Sequence, residues 1–185
     1  MERHPEILNR KRAGLLFIDI QEKISAVMLH RHTVIENTLK LIRACHMMDV
    51  PVFITEQYPQ GLGPTVPAIR EALAGVSPLA KLTFSCCGIE GLVDQFRAGD
   101  IEQIIIVGIE AHVCVQQTAL DLRAQGFQVH VLRDCVSSRK EIDLETALQR
   151  MQSAGIVVST LEAALFELLE RAGTQEFQEV SKLIR

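Results

Sequence analysis

Apolar and polar positions along this chain follow two alternating periods. Residues 13–19 (AGLLFID), 51–55 (PVFIT), 104–107 (IIIV), 127–132 (FQVHVL) and 156–158 (IVV) are short apolar runs, most of them rich in β-branched residues. Runs of this kind read as strands covered on both faces. Residues 79–83 (LAKLT) read as a further short strand. Between the runs the period lengthens. Residues 33–48 carry Val34, Ile35, Leu39, Leu41, Ile42 and Met48 on one broad stripe, which predicts a helix. Helices are also predicted over 88–98, over 113–125 with a stop at Gly126, and over 143–154 with a stop at Gly155. Another is capped by Ser159 or Thr160 and runs to about Arg171. Residues 174–185 read as a final amphipathic turn or helix, and 58–67 (YPQGLGPTVP), rich in proline and glycine, as a long loop.

Six predicted strands separated by helices argue for an α/β fold, a doubly wound parallel sheet with helices on both faces. With no linker, repeat or low-complexity stretch, residues 1–185 are expected to form a single domain. The commonest doubly wound order is 3-2-1-4-5-6, in which strands 1 and 4 lie side by side where the winding reverses. Ligands bind at that crevice, outside the carboxyl ends of the strands. The residues that follow those two strands are Asp19-Ile20-Gln21 and Glu110-Ala111-His112-Val113-Cys114.

Composition narrows the class. The 185 residues are 48% hydrophobic and 23% charged, with a net charge of −4, as in ordinary soluble globular proteins. The one basic cluster, Arg10-Lys11-Arg12, sits just before the first strand and reads as a solvated approach to it. A nucleic-acid partner is therefore not expected. No run nears the ~20 apolar residues of a membrane helix, and MERHPEILNRKR lacks the apolar core of a signal peptide, so the expected compartment is the cytoplasm. The five cysteines (45, 86, 87, 114, 135) should be free thiols there. Cys86 and Cys87 are adjacent rather than spaced as C-x-x-C, and neither H-x-x-x-H nor D-x-H occurs, so neither a metal nor another cofactor is expected.

Two residues at the crevice carry chemistry. Cys114 falls at the start of the helix after strand four, where peptide N–H groups and the helix dipole are expected to lower a thiol pKa. It is a candidate nucleophile, or else a small apolar residue packing helix on sheet. Asp19 ends an apolar strand and is a candidate base for that thiol, or a helix cap. Lys81 stands in an apolar run. Its ammonium either reaches water or is buried beside Asp19 and the thiol. His112 is a lesser candidate base or a loop histidine facing solvent. The candidates for contact with a substrate are Gln21, Gln57, Tyr58 and His112, with Glu110 as a further pocket residue.

The runs LLFIDIQEK, KLTFSCC and GIEAHVCVQQTALDLRAQGFQVHVLRDCVSSR resemble the isochorismatase-like cysteine hydrolases over roughly residues 13–168. The loop VFITEQYPQGLGPTVP is especially similar to the isochorismatase domain-containing branch. The resemblance implies a six-stranded doubly wound sheet and a triad that falls on Asp19, Lys81 and Cys114. Asp19 would take the thiol proton, and Cys114 would attack a carbonyl or similar carbon of a small molecule. It also implies a cis peptide at Ile109–Glu110 and an oxyanion hole from the N–H groups of Glu110 and Cys114. Family members that cleave isochorismate dispense with the cysteine, so its presence favours amide-type hydrolysis. Glu56-Gln57-Tyr58 stands where nicotinamidases of the family carry D-x-H, which argues against both the metal and that activity. Relatives of the fold commonly assemble, so a homo-oligomer is expected. The competing readings are a catalytically silent binding protein and a thiol redox sensor on the same fold.

Overall fold

The computed structural model describes residues 3–184. Strand β1 (Ala13–Ile18) and strand β4 (Gln103–Ile109) are buried at every position. They pair in parallel, with Leu15 opposite Ile105 and Phe17 opposite Val107. Around them lie β2 (Val52–Gln57), β3 (Leu79–Lys81), β5 (Gln128–Ser137) and β6 (Val157–Ser159). The sheet has six strands in the order β3-β2-β1-β4-β5-β6, and all the pairings are parallel. This is the expected single-domain doubly wound α/β architecture.

Successive strand residues point to opposite faces, and the core divides accordingly. Leu15, Phe17, Ile105 and Val107 meet α2 (Arg31–Met47), α4 (Pro67–Ala72), α8 (Leu161–Leu169) and α9 (Gln175–Leu183). Leu16, Ile18, Ile104 and Ile106 meet α5 (Leu92–Ala98), α6 (Gln116–Ala124) and α7 (Glu141–Ser153). Each inner layer is a strip of branched aliphatics facing an amphipathic helix, so burial of both faces holds the sheet together.

Several boundaries differ from the sequence reading for identifiable reasons. Residues 58–67 are not one long loop. Pro59 opens the short helix α3 (Pro59–Leu62) and Pro67 opens α4. A proline fits the first helical turn, where its missing N–H has no partner to lose. A short helix α1 (Glu22–Ser25) also follows β1. Helix α5 begins at Leu92 rather than residue 88, because Gly91 turns left-handed at φ 76° and a separate 3₁₀ turn occupies Cys86–Gly88. Strand β5 runs past Leu132, because a register shift opposite Ile106 and Gly108 absorbs Arg133 and Asp134 and lets the apolar pattern resume. The chain after β4 winds first as a π turn (Ala111–Val115) that runs into α6. Thr160 and Thr174 cap α8 and α9 by accepting from Ala163 N and Phe177 N. Of the terminal helix expected over 174–185, Arg185 lies outside the described residues. No helix among the described residues is long and apolar enough to cross a membrane.

Candidate active site

The site forms where β1, β2, β3 and β4 end. Asp19 follows β1 directly in the left-handed region, at φ 53°, a conformation that aspartate tolerates better than most residues. This turns its carboxylate across the strand ends, and its side chain is 3% exposed. Oδ1 accepts a hydrogen bond from Thr55 Oγ1 at 2.7 Å. Oδ2 lies 2.7 Å from Lys81 Nζ but off the line of a hydrogen bond, so charge holds this contact.

Lys81 ends β3, and its ammonium does not reach solvent. Nζ also donates to Gln57 Oε1 at 2.6 Å and to the carbonyls of Phe84 at 3.0 Å and Thr83 at 3.3 Å. Burial disfavours the charge on Lys81. The charges around it, that of the neighbouring Asp19 carboxylate foremost, outweigh this and hold its pKa above the ordinary lysine value. A buried ion is tolerable when paired and hydrogen-bonded in this way.

Cys114 sits in the π turn and is buried. Its thiol faces Gln57 Oε1 at 3.9 Å. The pKa of the thiol is not lowered as the helix start led us to expect. Burial, and then the charge of Asp19, push it up to about 12, and Lys81 offsets only part of this. Desolvation beside a carboxylate outweighs the helix terminus here, so the resting sulfur carries its proton.

The sequence candidates separate in the fold. Asp19, Lys81, Gln57 and Cys114 converge. Asp19, Gln57, Glu110 and Cys114, with Ile24, Leu62, Phe84, Ile109 and Val113, line a cavity of about 100 Å³ that is partly open to solvent. The carboxylate of Glu110 is paired with Arg139 at 3.0 Å. The Ile109–Glu110 peptide bond is cis, and the Glu110 carbonyl accepts from Val113 N and Val115 N, on either side of Cys114.

The other candidates turn elsewhere. Gln21 is a clamp on the backbone. Its Nε2 donates to the carbonyls of Gln57 and Gly63 at 3.0 and 2.6 Å, and its Oε1 accepts from Gln57 N at 2.8 Å. Tyr58 is half exposed, with its ring lying over Gly61, and does not line the cavity. His112 Nδ1 shares a 2.9 Å hydrogen bond with Ser138 Oγ and is not in the lining either. The sequence reading missed Thr55, Cys86 and the apolar lining. Thr55 stands two residues before Gln57, so period two along β2 places both on the same face, a signal available in the sequence.

A doubly wound parallel sheet with a buried carboxylate, ammonium and thiol at its switch point defines the class of this protein. It belongs to the isochorismatase family: the isochorismatase domain model matches residues 13–163. Isochorismatase domain-containing protein 2 of Danio rerio is 38% identical over 178 residues, covering 96% of this chain and 89% of its own. Among solved structures, that of MAR1 ribonuclease from Caenorhabditis elegans superposes with a TM-score of 0.91 at 39% identity, covering 96% of this chain and 91% of the other. The Escherichia coli YcaC gene product, an octameric hydrolase of unknown specificity, shares the fold with a TM-score of 0.89 at 23% identity, covering 99% and 92%.

Proposed function

We propose that this protein is a cysteine hydrolase of small amides or related carbonyl compounds, acting in the cytoplasm as a homo-oligomer without a metal or other cofactor. The observation that carries the reading is the convergence of Asp19, Gln57 and Cys114 on one small cavity, with Lys81 buried behind them against Asp19 and Gln57. Because the resting thiol is protonated, attack requires a base beside it, and Asp19 is the carboxylate whose charge raises that thiol.

In this scheme Cys114 Sγ bonds to the substrate carbonyl carbon as its proton passes to Asp19, and the carbonyl oxygen becomes an oxyanion. The N–H groups of Glu110 and Cys114 stabilise that charge, at roughly 3–4 kcal/mol for one well-placed donor. Collapse breaks the bond to the leaving group, which takes the proton from Asp19 and departs as an amine. Water then attacks the thioester, giving its proton to Asp19. The carboxylic acid leaves and the thiol is restored. Lys81, 2.7 Å from its Oδ2, holds Asp19 in place through both steps. The walls of Ile24, Leu62, Phe84, Ile109 and Val113 favour a short apolar acyl group.

The name of the C. elegans relative raises RNA as a substrate. The net charge of −4 and the small, mainly apolar cavity give less support to a polyanion. A panel of short aliphatic amides and esters, with an RNA oligonucleotide alongside, decides between these. We expect turnover of an amide or ester that falls at least 10³-fold in Cys114→Ala with the fold intact by circular dichroism. RNA cleavage unaffected by Cys114→Ala would overturn the reading. No turnover of any substrate would leave a binding protein, or a redox sensor if Cys114 still reacts with peroxide.

A further inference from the structure

Behind the triad lies a second layer of polar side chains that the scheme above leaves unused. Thr55 and Cys86 are both fully buried. Thr55 Oγ1 is 2.7 Å from Asp19 Oδ1, 3.5 Å from the Phe17 carbonyl and 3.8 Å from Cys86 Sγ. A hydroxyl has one proton to give. The short, charge-assisted contact to the carboxylate claims it over the long one to Phe17. The oxygen of Thr55 is then left as an acceptor toward Cys86, whose neutral thiol has a proton to donate.

Cys86 is itself held from the other side. Its backbone N–H donates to Thr118 Oγ1 at 2.9 Å, and Thr118 lies in α6, the helix that continues the turn carrying Cys114. The chain of contacts therefore runs from α6 through Cys86 and Thr55 to Asp19. Asp19 leaves β1 in a left-handed conformation. With Oδ1 engaged by Thr55, Oδ2 is the oxygen turned to Lys81, and it has no aligned hydrogen bond of its own.

We infer that Thr55 is a positioning residue, which through one hydrogen bond fixes which oxygen of Asp19 is free to take the Cys114 proton, and that Cys86 is its buttress rather than a redox thiol. The inference rests on the proposed function and assigns how the base of that site is aimed.

The test is the rate at which Cys114 is acylated by p-nitrophenyl acetate, read as the burst of p-nitrophenolate and as an acetyl group on the peptide carrying Cys114. The proton of the thiol goes to Asp19, the sulfur–carbon bond forms and p-nitrophenolate leaves. Thr55→Val keeps the shape of the side chain and removes the hydroxyl. Thr55→Ser keeps the hydroxyl and removes a methyl group. A packing role for Thr55 makes Val harmless and Ser harmful. Positioning predicts the reverse: Val slows acylation about tenfold or more, the scale of a charged-group hydrogen bond of about 1.5 kcal/mol or more, and Ser stays within about threefold. Cys86→Ala should fall between them. Should Thr55→Val not fold, Thr55→Ala makes the same comparison with Thr55→Ser. Wild-type rates in Thr55→Val, or a larger loss in Thr55→Ser, would overturn the inference. Absence of acylation at Cys114 in the wild-type protein would instead overturn the proposed function on which it rests.

Discussion

Asp19 and Gly108 show how much single residues at the strand ends control. Gly108 pairs with Ile18 across β1 and β4, immediately before Asp19, and adopts φ 123°. A Cβ at this position would collide with the backbone carbonyl of Ile18. Backbone cannot swing aside as a side chain can, so Gly108→Ala must part the two central strands. We expect a loss on the order of 3 kcal/mol or more, measured by urea unfolding, together with loss of the aligned site. A variant within 1 kcal/mol of wild type would show that this close approach is not needed. That Asp19 and Cys114 face one crevice was legible from strand order, whereas the placing of Lys81 beside Asp19 came from the family resemblance, because its apolar run alone left the ammonium free to reach water. The state of the thiol was not legible. The helix-start rule considers one local field, whereas burial and the Asp19 carboxylate, which only the fold brings together, decide the sign.

At the scale of elements, apolar runs revealed strands wherever these are covered on both faces, as in β1 and β4. They failed where tertiary geometry overrides local pattern. Arg133 and Asp134 would end a regular strand, but the bulge opposite Ile106 and Gly108 carries β5 on to Ser137. Prolines 59 and 67, read as breakers, begin helices instead. The same strand β5 holds His130, paired with Ile105 and Val157 and fully buried with neither ring nitrogen hydrogen-bonded. Burial lowers its pKa from 6.5 to about 4. Between those values the unfolded chain binds a proton that the folded chain refuses. The stability tied to a neutral His130 is therefore complete above pH 6.5 and is lost as pH falls toward 4. The shift amounts to roughly 3 kcal/mol. His130→Leu should remove most of this acid sensitivity while leaving stability at pH 7 equal or higher, since it deletes two unpaired polar atoms. Urea midpoints at neutral pH and near pH 4.5 check this. An unchanged fall with pH in the variant would place the acid sensitivity elsewhere.

For the whole molecule, the doubly wound order decides what meets what. Residues from β1, β2, β3 and the turn after β4 are far apart in sequence, yet the switch point gathers Asp19, Gln57 and Cys114 at one cavity and sets Lys81 against Asp19 and Gln57. The location of the crevice was legible from strand order alone. The turns of Tyr58 and His112 away from the cavity were not, because side-chain direction there depends on segments outside the strands that only the folded chain defines. Tyr58, Leu82 and Phe84 remain exposed on the segments that follow β2 and β3, and Phe84 also lines the cavity. The account stands on one bond, the covalent link between Cys114 sulfur and the acyl group of a substrate. Its most direct test is rapid quench of wild-type protein with an amide or ester that it turns over, followed by peptide mapping within the first turnovers. The account predicts an acyl group on Cys114 that forms and decays at rates matching turnover, accumulates in neither Asp19→Asn nor Cys114→Ala, and is absent from Cys86 and Cys87. Full turnover with no acyl group ever detected on Cys114, and with Cys114→Ala still active, would contradict it.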